Sequence, residues 1–552
     1  MRPDIRWAGP RALLVELDSL ESVLAFHARL LADPPAGQVD VLAAARTVLA
    51  VFDSRAHAGA ARKILEELET GEAFATAAPE EPVRIEVVYD GEDLAEVGRL
   101  TGLGADGVVA AHTGQVWTAA FGGFAPGFAY LVGEHDALNV PRRGTPRTAV
   151  PAGSVALAGN FSAVYPRRSP GGWQLVGHTS ARMWDLEREQ PALVRPGNRV
   201  QYVAVRELVE LTAEDRQPAS AAAAHEPVRT GPSLEVISPG PQSLVQDLGR
   251  PGLGDLGVSP AGAADARSAR QANRLVGNRP GDAVIETVLG GLEVRAGGEL
   301  TAALSGAPAA AEVRGRTGIR PVPMDAPFPL HDGETLHLEV PGAGLRTYLG
   351  VRGGIDVPAV LGSRSTDLMS GIGPAPLAAG TVLPVGAVDT ARAVGQPEPS
   401  SLAADVASGG SGLPVTLRIT AGPRHDWFTD DSRAALTAQV WTVTAESNRI
   451  GLRLEPGAAG SRPEPSPGVA LQRSRTGELP SEGVVAGSLQ VPPSGLPVLF
   501  LADHPVTGGY PVIGAVVPED LPAAAQLPPG TAVRFVEVDP ETLQPAAPVP
   551  ST

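Results

Sequence analysis

The apolar run Pro497-Val498-Leu499-Phe500-Leu501-Ala502 ends in Asp503, and the turn Thr507-Gly508-Gly509-Tyr510 follows at once. A carboxylate at a strand end beside a glycine turn can act as a general base or hold a ligand. It can equally cap an Asx-type turn. Arg142, Arg143 and Arg147 form the densest basic cluster near glycine-rich turns. Guanidinium forks there suit a phosphate or carboxylate, or bridge strands at an exposed turn. Gly122-Gly123-Phe124 and Pro126-Gly127 let a backbone approach a ligand closely, or turn the corners of a sheet. Glu286 stands in a strand between Ile285 and Thr287, as a catalytic carboxylate or a salt-bridge partner. Asn273 shares a helical stretch with Arg267, Arg270 and Arg274, which otherwise reads as a solvated face. His178 sits at a turn with no metal-ligand spacing around it. The other histidines of the 10 are scattered, so no metal site is expected.

Composition removes several kinds of chemistry. There is no Cys, which excludes disulfides, thiolate nucleophiles and Cys-ligated metals. Lys63 is the sole lysine and lies in a helical pattern. A Walker A loop, a Schiff-base or Ser-Lys centre and a biotin-attachment hairpin all need a lysine placed otherwise. Any phosphate must therefore be met by arginines, by a metal, or by both. Ser408-Gly409-Gly410-Ser411-Gly412 has the look of an amidase serine loop but reads as linker. The net charge of −17 argues against a nucleic-acid partner. No apolar run is long enough to span a membrane, and the first residues lack the apolar core of a signal peptide. A cytoplasmic protein is expected.

These residues need a scaffold, and the chain repeats one. Gly171-Gly172-Trp173-Gln174-Leu175-Val176-Gly177, followed by Pro196-Gly197-Asn198-Arg199-Val200-Gln201-Tyr202, returns as Gly508-Gly509-Tyr510-Pro511-Val512-Ile513-Gly514, followed by Pro529-Gly530-Thr531-Ala532-Val533-Arg534-Phe535. A repeat whose copies stand more than 300 residues apart points to two copies of one β-rich module, with chemistry expected between them. The 65 glycines and 54 prolines suit short strands and tight turns. The expected fold class is mainly β with an α+β N-terminal part. Residues 1–80 read as a small β-α-β-α, ferredoxin-like domain and 81–208 as the first module. Residues 209–232 read as a linker and 233–390 as a further β domain. A second linker is expected at 391–412, the second module at 413–538 and a disordered tail at 539–552.

Further motifs carry a resemblance. Phe121-Gly122-Gly123-Phe124-Ala125-Pro126-Gly127-Phe128, Val140-Pro141-Arg142-Arg143, Pro146-Arg147, Val150-Pro151-Ala152-Gly153-Ser154-Val155 and Ser169-Pro170-Gly171-Gly172-Trp173 resemble the 5-oxoprolinase B subunit. Ser243 to Gly252, Ala272 to Asn278, Ser447-Asn448-Arg449-Ile450-Gly451, Ser481-Glu482-Gly483-Val484-Val485 and Asp503 with Gly508-Gly509-Tyr510-Pro511 resemble the 5-oxoprolinase C subunit. Both belong to the biotin-dependent carboxyltransferase superfamily, also labelled allophanate hydrolase subunits 1 and 2. The chain looks like a B–C fusion, departing from the pattern at His178 and at His504-Pro505-Val506-Thr507.

The resemblance implies internally repeated cyclophilin-like β-barrel domains, carboxyltransferase subdomains C and D before the linker and A and B after it. It implies ATP-dependent opening of 5-oxo-L-proline to L-glutamate with a separate 5-oxoprolinase A subunit, ATP and its Mg2+, and no biotin on this chain. Phosphorylating the lactam oxygen would let water open an otherwise inert ring. That assigns Asp503, Asn273 and Glu286 to the chemistry. Gly123, Phe124, Pro126, Gly127, Arg142, Arg143, Arg147, His178, Thr507, Gly508, Gly509 and Tyr510 fall to substrate or nucleotide. Two other activities stay open: carboxyl transfer to urea or a similar amide, and a histidine-kinase inhibitor and antagonist module. Homo-oligomerisation is also open.

Overall fold

A computed structural model describes residues 3–67, 81–207, 231–407, 413–457 and 468–546. The expected linker at 209–232 lies almost wholly outside them, as do the Ser-Gly stretch 408–412 and residues 547–552 of the tail.

The N-terminal domain is a four-stranded sheet in the order Asp4–Trp7, Ala12–Glu16, Thr47–Phe52, Gln38–Ala43, antiparallel throughout. The helices Leu20–Ala32 and Arg55–Glu67 follow its two hairpins. The chain order is thus β-β-α-β-β-α, which corrects the ferredoxin-like reading. Asp4–Trp7 is too short to show a period, and Gln38 to Phe52 folds back on itself around Arg46. Ser19 starts the first helix by accepting a hydrogen bond from Ser22 N at 3.1 Å.

Two barrels follow the repeat. In the first, seven strands run in the order Gln174–His178, Ser154–Ala158, Phe161–Val164, Ala129–Val132, Trp117–Gly122, Arg199–Ala204, Val83–Val87. The edges meet where Val88 and His178 exchange backbone hydrogen bonds of 2.9 Å. In the second, the order is Val512–Val516, Ser488–Gln490, Val498–Phe500, Gly451–Pro456, Trp441–Val443, Ala532–Glu537, Val415–Ala421, and the ring is closed. Taken in chain order, the strands occupy the same places in both. In each barrel the first and last strands pair in parallel and all other pairs are antiparallel. Alternation explains the inward faces. Ile85 and Val87 are buried in one barrel; Val415, Leu417 and Ile419 are buried in the other.

Between the barrels, a six-stranded and a five-stranded sheet enclose a shared aliphatic core. The helix Ala266–Val276 packs on the five-stranded sheet. Asp265 caps its start by accepting from Ser268 N at 3.0 Å, and Gly277 at φ +76° ends it. The expected linker at 391–412 is, up to residue 407, a strap bound to this helix. Gly395 N donates to Leu275 O, Gln271 donates to Pro399 O, and Leu402 and Val406 enter the second barrel's core. Its small, polar composition hides that packing. Residues 539–546 form a turn and a bridge back to Val538.

Candidate functional site

The B-like and C-like halves meet along a seam lined by the glycine-rich signature, whereas Asp503 and Glu286 meet at a separate contact inside the C-like half. Asp503 is fully buried rather than exposed in a turn. The guanidinium of Arg449 grips it through two bonds, Nε to Oδ2 at 3.0 Å and Nη2 to Oδ1 at 2.8 Å. Nη1 of the same arginine donates to Glu286 at 2.5 Å, and Nη2 also donates to Gly262 O at 2.7 Å. Glu286 accepts further from Tyr348 Oη at 2.8 Å and Ala264 N at 2.9 Å, with Arg346 at 3.4 Å. Burial pushes the Glu286 carboxyl up, but Arg449 and Arg346 outweigh it and hold it below the usual range. Burial also works against the Arg449 charge, and the two carboxylates more than restore it. Glu286 and Asp503, both paired with Arg449, bolt the middle domain to the second barrel. A buried pair of this kind is costly to break, about 3–5 kcal/mol when one partner is removed.

Asn273 serves the fold. It donates to Asp282 O at 2.7 Å and accepts from Asn278 at 3.1 Å, fixing the turn after its helix. Thr507 and Gly508 pair with Gly483 and Glu482 as a two-stranded ribbon. Gly509 follows it in a bend, and Tyr510 is exposed under Arg473, whose guanidinium lies 5.6 Å from the ring centroid. His178 is on the surface, 2.7 Å from Asp90.

The glycine-rich signature is an interface. A Cβ on Gly122 would stand 2.1 Å from the carbonyl oxygen of Asp255, and one on Gly257 would stand 2.3 Å from that of Ala125. Gly127, at φ +77°, donates its N–H to Leu256 O at 3.3 Å. Gly123 makes room for the Phe128 ring, Phe124 packs against Phe128 with ring centroids 4.9 Å apart and planes tilted by 45°, and Pro126 is buried between them in sequence. These residues let two backbones touch across the seam.

Of the basic cluster, Arg143 and Arg147 both bind Asp93, Arg147 at 2.9 Å and also Glu92 at 3.0 Å. Arg142 is exposed and makes no hydrogen bond or ion pair among the described residues. Its charge acts on Tyr130 and Tyr165.

Where the N-terminal domain, the middle domain and the second barrel converge, they leave a cavity of about 280 Å3. Its wall is aliphatic, with Leu42, Val51, Val485 and Val506, and it carries Asp40 and His504. Asp40 accepts from Gly254 N at 3.3 Å. Burial, then the charge of Asp255, pushes its carboxyl up to about 6. Asp255 in turn lies 2.9 Å from His27. His504 is buried, stacked at 5.8 Å on Phe500, and burial lowers its affinity for a proton. Asp40 is thus able to exchange a proton near neutral pH inside an apolar cavity.

Asp40 and Arg449 were not among the residues expected from the sequence. Arg449 stands inside a family-like motif, so that motif could have yielded it. Asp40 sits in an alternating strand that gives no signal.

The duplicated barrel, and a glycine-lined seam at which the two halves bring their backbones together, define a protein built of two carboxyltransferase-type halves. The chain belongs to the carboxyltransferase domain family: subdomains C and D match residues 3–194, and subdomains A and B match residues 256–537. It is similar to the C subunit of 5-oxoprolinase from Escherichia coli K12, 34% identical over 310 residues, 55% of this chain and 91% of that protein. It is also similar to the B subunit of 5-oxoprolinase from Escherichia coli O157:H7, 45% identical over 128 residues, 23% of this chain and 59% of that protein. The crystal structure of TTHA0988 superposes with a TM-score of 0.78 at 33% identity, covering 95% of this chain and 99% of that one. The repeated barrels and mainly β fold class are those expected, and both halves occur in a single chain there as here.

Proposed function

We propose that the chain is the fused B–C component of an ATP-dependent 5-oxoprolinase, opening 5-oxo-L-proline to L-glutamate together with a separate A subunit. The observation that carries this is the order of the likenesses: a match to the B subunit of 5-oxoprolinase and then a match to its C subunit, along one continuous chain. The chemistry is compatible. Arginines, not lysine, meet phosphate or carboxylate, Mg2+ arrives with the nucleotide, and Asp40 supplies a carboxyl poised to move a proton. Purified chain with its cognate A subunit, in the presence of Mg-ATP, is expected to release glutamate, and neither protein alone is expected to do so.

A second reading has one observation behind it, a likeness to urea amidolyase of Lachancea kluyveri, 33% identical over 324 residues but covering 17% of that protein. Biotin would then have to arrive on another protein, because Lys63 lies on the helix Arg55–Glu67. Carboxylation of urea by the chain with a biotinylated carrier, in place of glutamate release, would favour it.

A further inference from the structure

We propose that the cavity between the N-terminal domain, the middle domain and the second barrel is a binding site for a small primary aliphatic amine. Its ammonium meets Asp40 and His504, and its chain lies along the aliphatic wall.

Strand alternation sets that wall. In the N-terminal sheet Asp40 stands opposite Val51, and Leu42 stands opposite Leu49. Their neighbours Val41, Ala43, Val48 and Ala50 fill the core on the helix side, so these four occupy the other face. Val485 and Val506 of the second barrel close the space from across the interface, and Leu42, Leu49 and Val506 pack into one apolar cluster. Val39 and Pro251 also line the cavity and are exposed, which puts its mouth beside them.

The polar groups of this apolar space are acceptors. Asp40, half-buried, accepts from Val41 N at 3.0 Å on Oδ1 and from Gly254 N at 3.3 Å on Oδ2, and each oxygen has a lone pair left. Gly254 leaves the carboxylate its place, since a Cβ there would stand 3.0 Å from Oδ2. His504, 3% exposed, holds Nδ1 2.8 Å from Pro505 O. A carbonyl only accepts, so Nδ1 carries the hydrogen. Burial keeps the ring neutral, and Nε2 is left as an acceptor with no partner among the described residues. Buried polar groups in that condition are rare. Arg11, the one arginine on the wall, is engaged elsewhere, with Glu519 at 2.7 Å and Asp53 O at 3.4 Å.

This pattern selects the guest. An ammonium carries donors and no acceptor, a hydroxyl carries one donor, and a carboxylate carries none. Charge selects in the same direction, because Asp255 stands behind Asp40. An apolar cavity of about 150 Å3 holds benzene, so one of about 280 Å3 holds a chain of roughly six carbons with its head group. The site does not rest on the function proposed above.

Titration calorimetry on the full chain tests it, with n-hexylamine, hexan-1-ol and hexanoate as probes. At about pH 8 hexylamine is expected to bind roughly 10-fold more tightly than hexanol, and hexanoate is not expected to bind. Asp40→Asn is expected to weaken hexylamine by roughly 10-fold and to leave hexanol unchanged, which shows the cavity intact. Val51→Phe, filling the cavity from a half-buried position, is expected to abolish binding of both, with a melting curve to verify the fold. The pH profile supplies a sign. Hexylammonium keeps its charge, whereas Asp40, pushed by burial up to about 6, takes up a proton as pH falls. Hexylamine affinity is therefore expected to drop roughly 10-fold from about pH 8 to about pH 5. The other ionisable groups around the carboxyl are Asp255, His27 at 2.9 Å from it, His504 and Arg11. Asp40→Asn keeps all of these and is expected to show no such drop. Equal affinity for hexylamine and hexanol, or tighter binding of hexanoate, would overturn the proposal. So would wild-type affinity in either variant, or no binding of hexylamine at millimolar concentration.

Discussion

The two barrels share strand order, parallel closure and even a side-chain detail. Trp117 Nε1 donates to His112 O at 2.9 Å, five residues before it, and Trp441 Nε1 donates to Leu436 O at 3.0 Å in the same relation. They differ at one ribbon. In the first barrel Arg147 stands opposite Gly171, and in the second Glu482 stands opposite Gly508, the equivalent glycine of the repeated motif. Arg147 pairs with Asp93 and Glu92; Glu482 pairs with Arg424. The ion pair has been kept and its sign reversed. Its setting has changed as well. Arg424 also reaches Glu16 of the N-terminal domain at 2.7 Å, and a Cβ on Gly483 would stand 2.6 Å from Leu49 Cβ. The second ribbon is sealed into the seam, whereas Glu92 of the first is exposed. A duplicated scaffold has thus kept its core and put one copy of a polar ribbon to structural use, leaving the other open.

The carboxylates record the difference. Burial pushes Asp93 up, but its hydrogen bonds with Arg147 and Leu175 N, and the arginine charges, hold it below the usual range. For Glu482 burial wins, and its carboxyl lies above the usual range despite Arg424.

The largest effect is expected at the bolt that the second barrel has and the first lacks. Arg449→Met leaves Asp503 buried without its ion-pair partner and Glu286 with Arg346 alone, and should cost about 3–5 kcal/mol in urea denaturation. Asp503→Asn should cost less, on the order of 1–3 kcal/mol, since one hydrogen bond survives. A loss below about 0.5 kcal/mol for both, the scale of an ordinary surface change, would refute a structural bolt. Next comes the ribbon itself. Arg424→Gln should destabilise by about 2–4 kcal/mol, because Glu482 stays buried. Arg147→Gln should cost about 1 kcal/mol, because Arg143 still serves Asp93. Equal losses would erase the contrast drawn between the two copies.

The smallest effect concerns Asp40. Its folded-state pKa, about 6, exceeds that of an unfolded Asp, so the folded state binds the proton more readily. This carboxyl therefore lowers stability above about pH 6, and the penalty is relieved as pH falls from about 6 towards about 4. Asp40→Asn should flatten the stability profile in that window and raise stability at about pH 7 by on the order of 1–2 kcal/mol. An unaltered profile would show that Asp40 is not held up.

The barrels were legible because their repeated glycines and alternating strands are local signals. The bolt was not. Arg449 is separated in sequence from Asp503 by 54 residues and from Glu286 by 163, and no period records such a meeting. The turn beside Asp503 suggested a base, a ligand holder or an Asx cap, but the residue is buried against Arg449. At Gly122 and Gly127 the sequence suggests a backbone approaching a ligand, whereas in the fold it is the chain's own backbone at Asp255 to Gly257 that comes close. The strap at 391–407 shows the converse error, since a polar, small-residue stretch can still dock when a helix offers it partners.

On the proposed function, the two halves form one component of an enzyme that couples ATP to lactam opening. The most direct test mixes the chain, its cognate A subunit, Mg-ATP and 5-oxo-L-proline, and quantifies both products over time. The account predicts equal amounts of glutamate and ADP, with no glutamate when either protein or ATP is left out. Failure of the complete mixture to form glutamate, or ring opening by the chain alone, would contradict it.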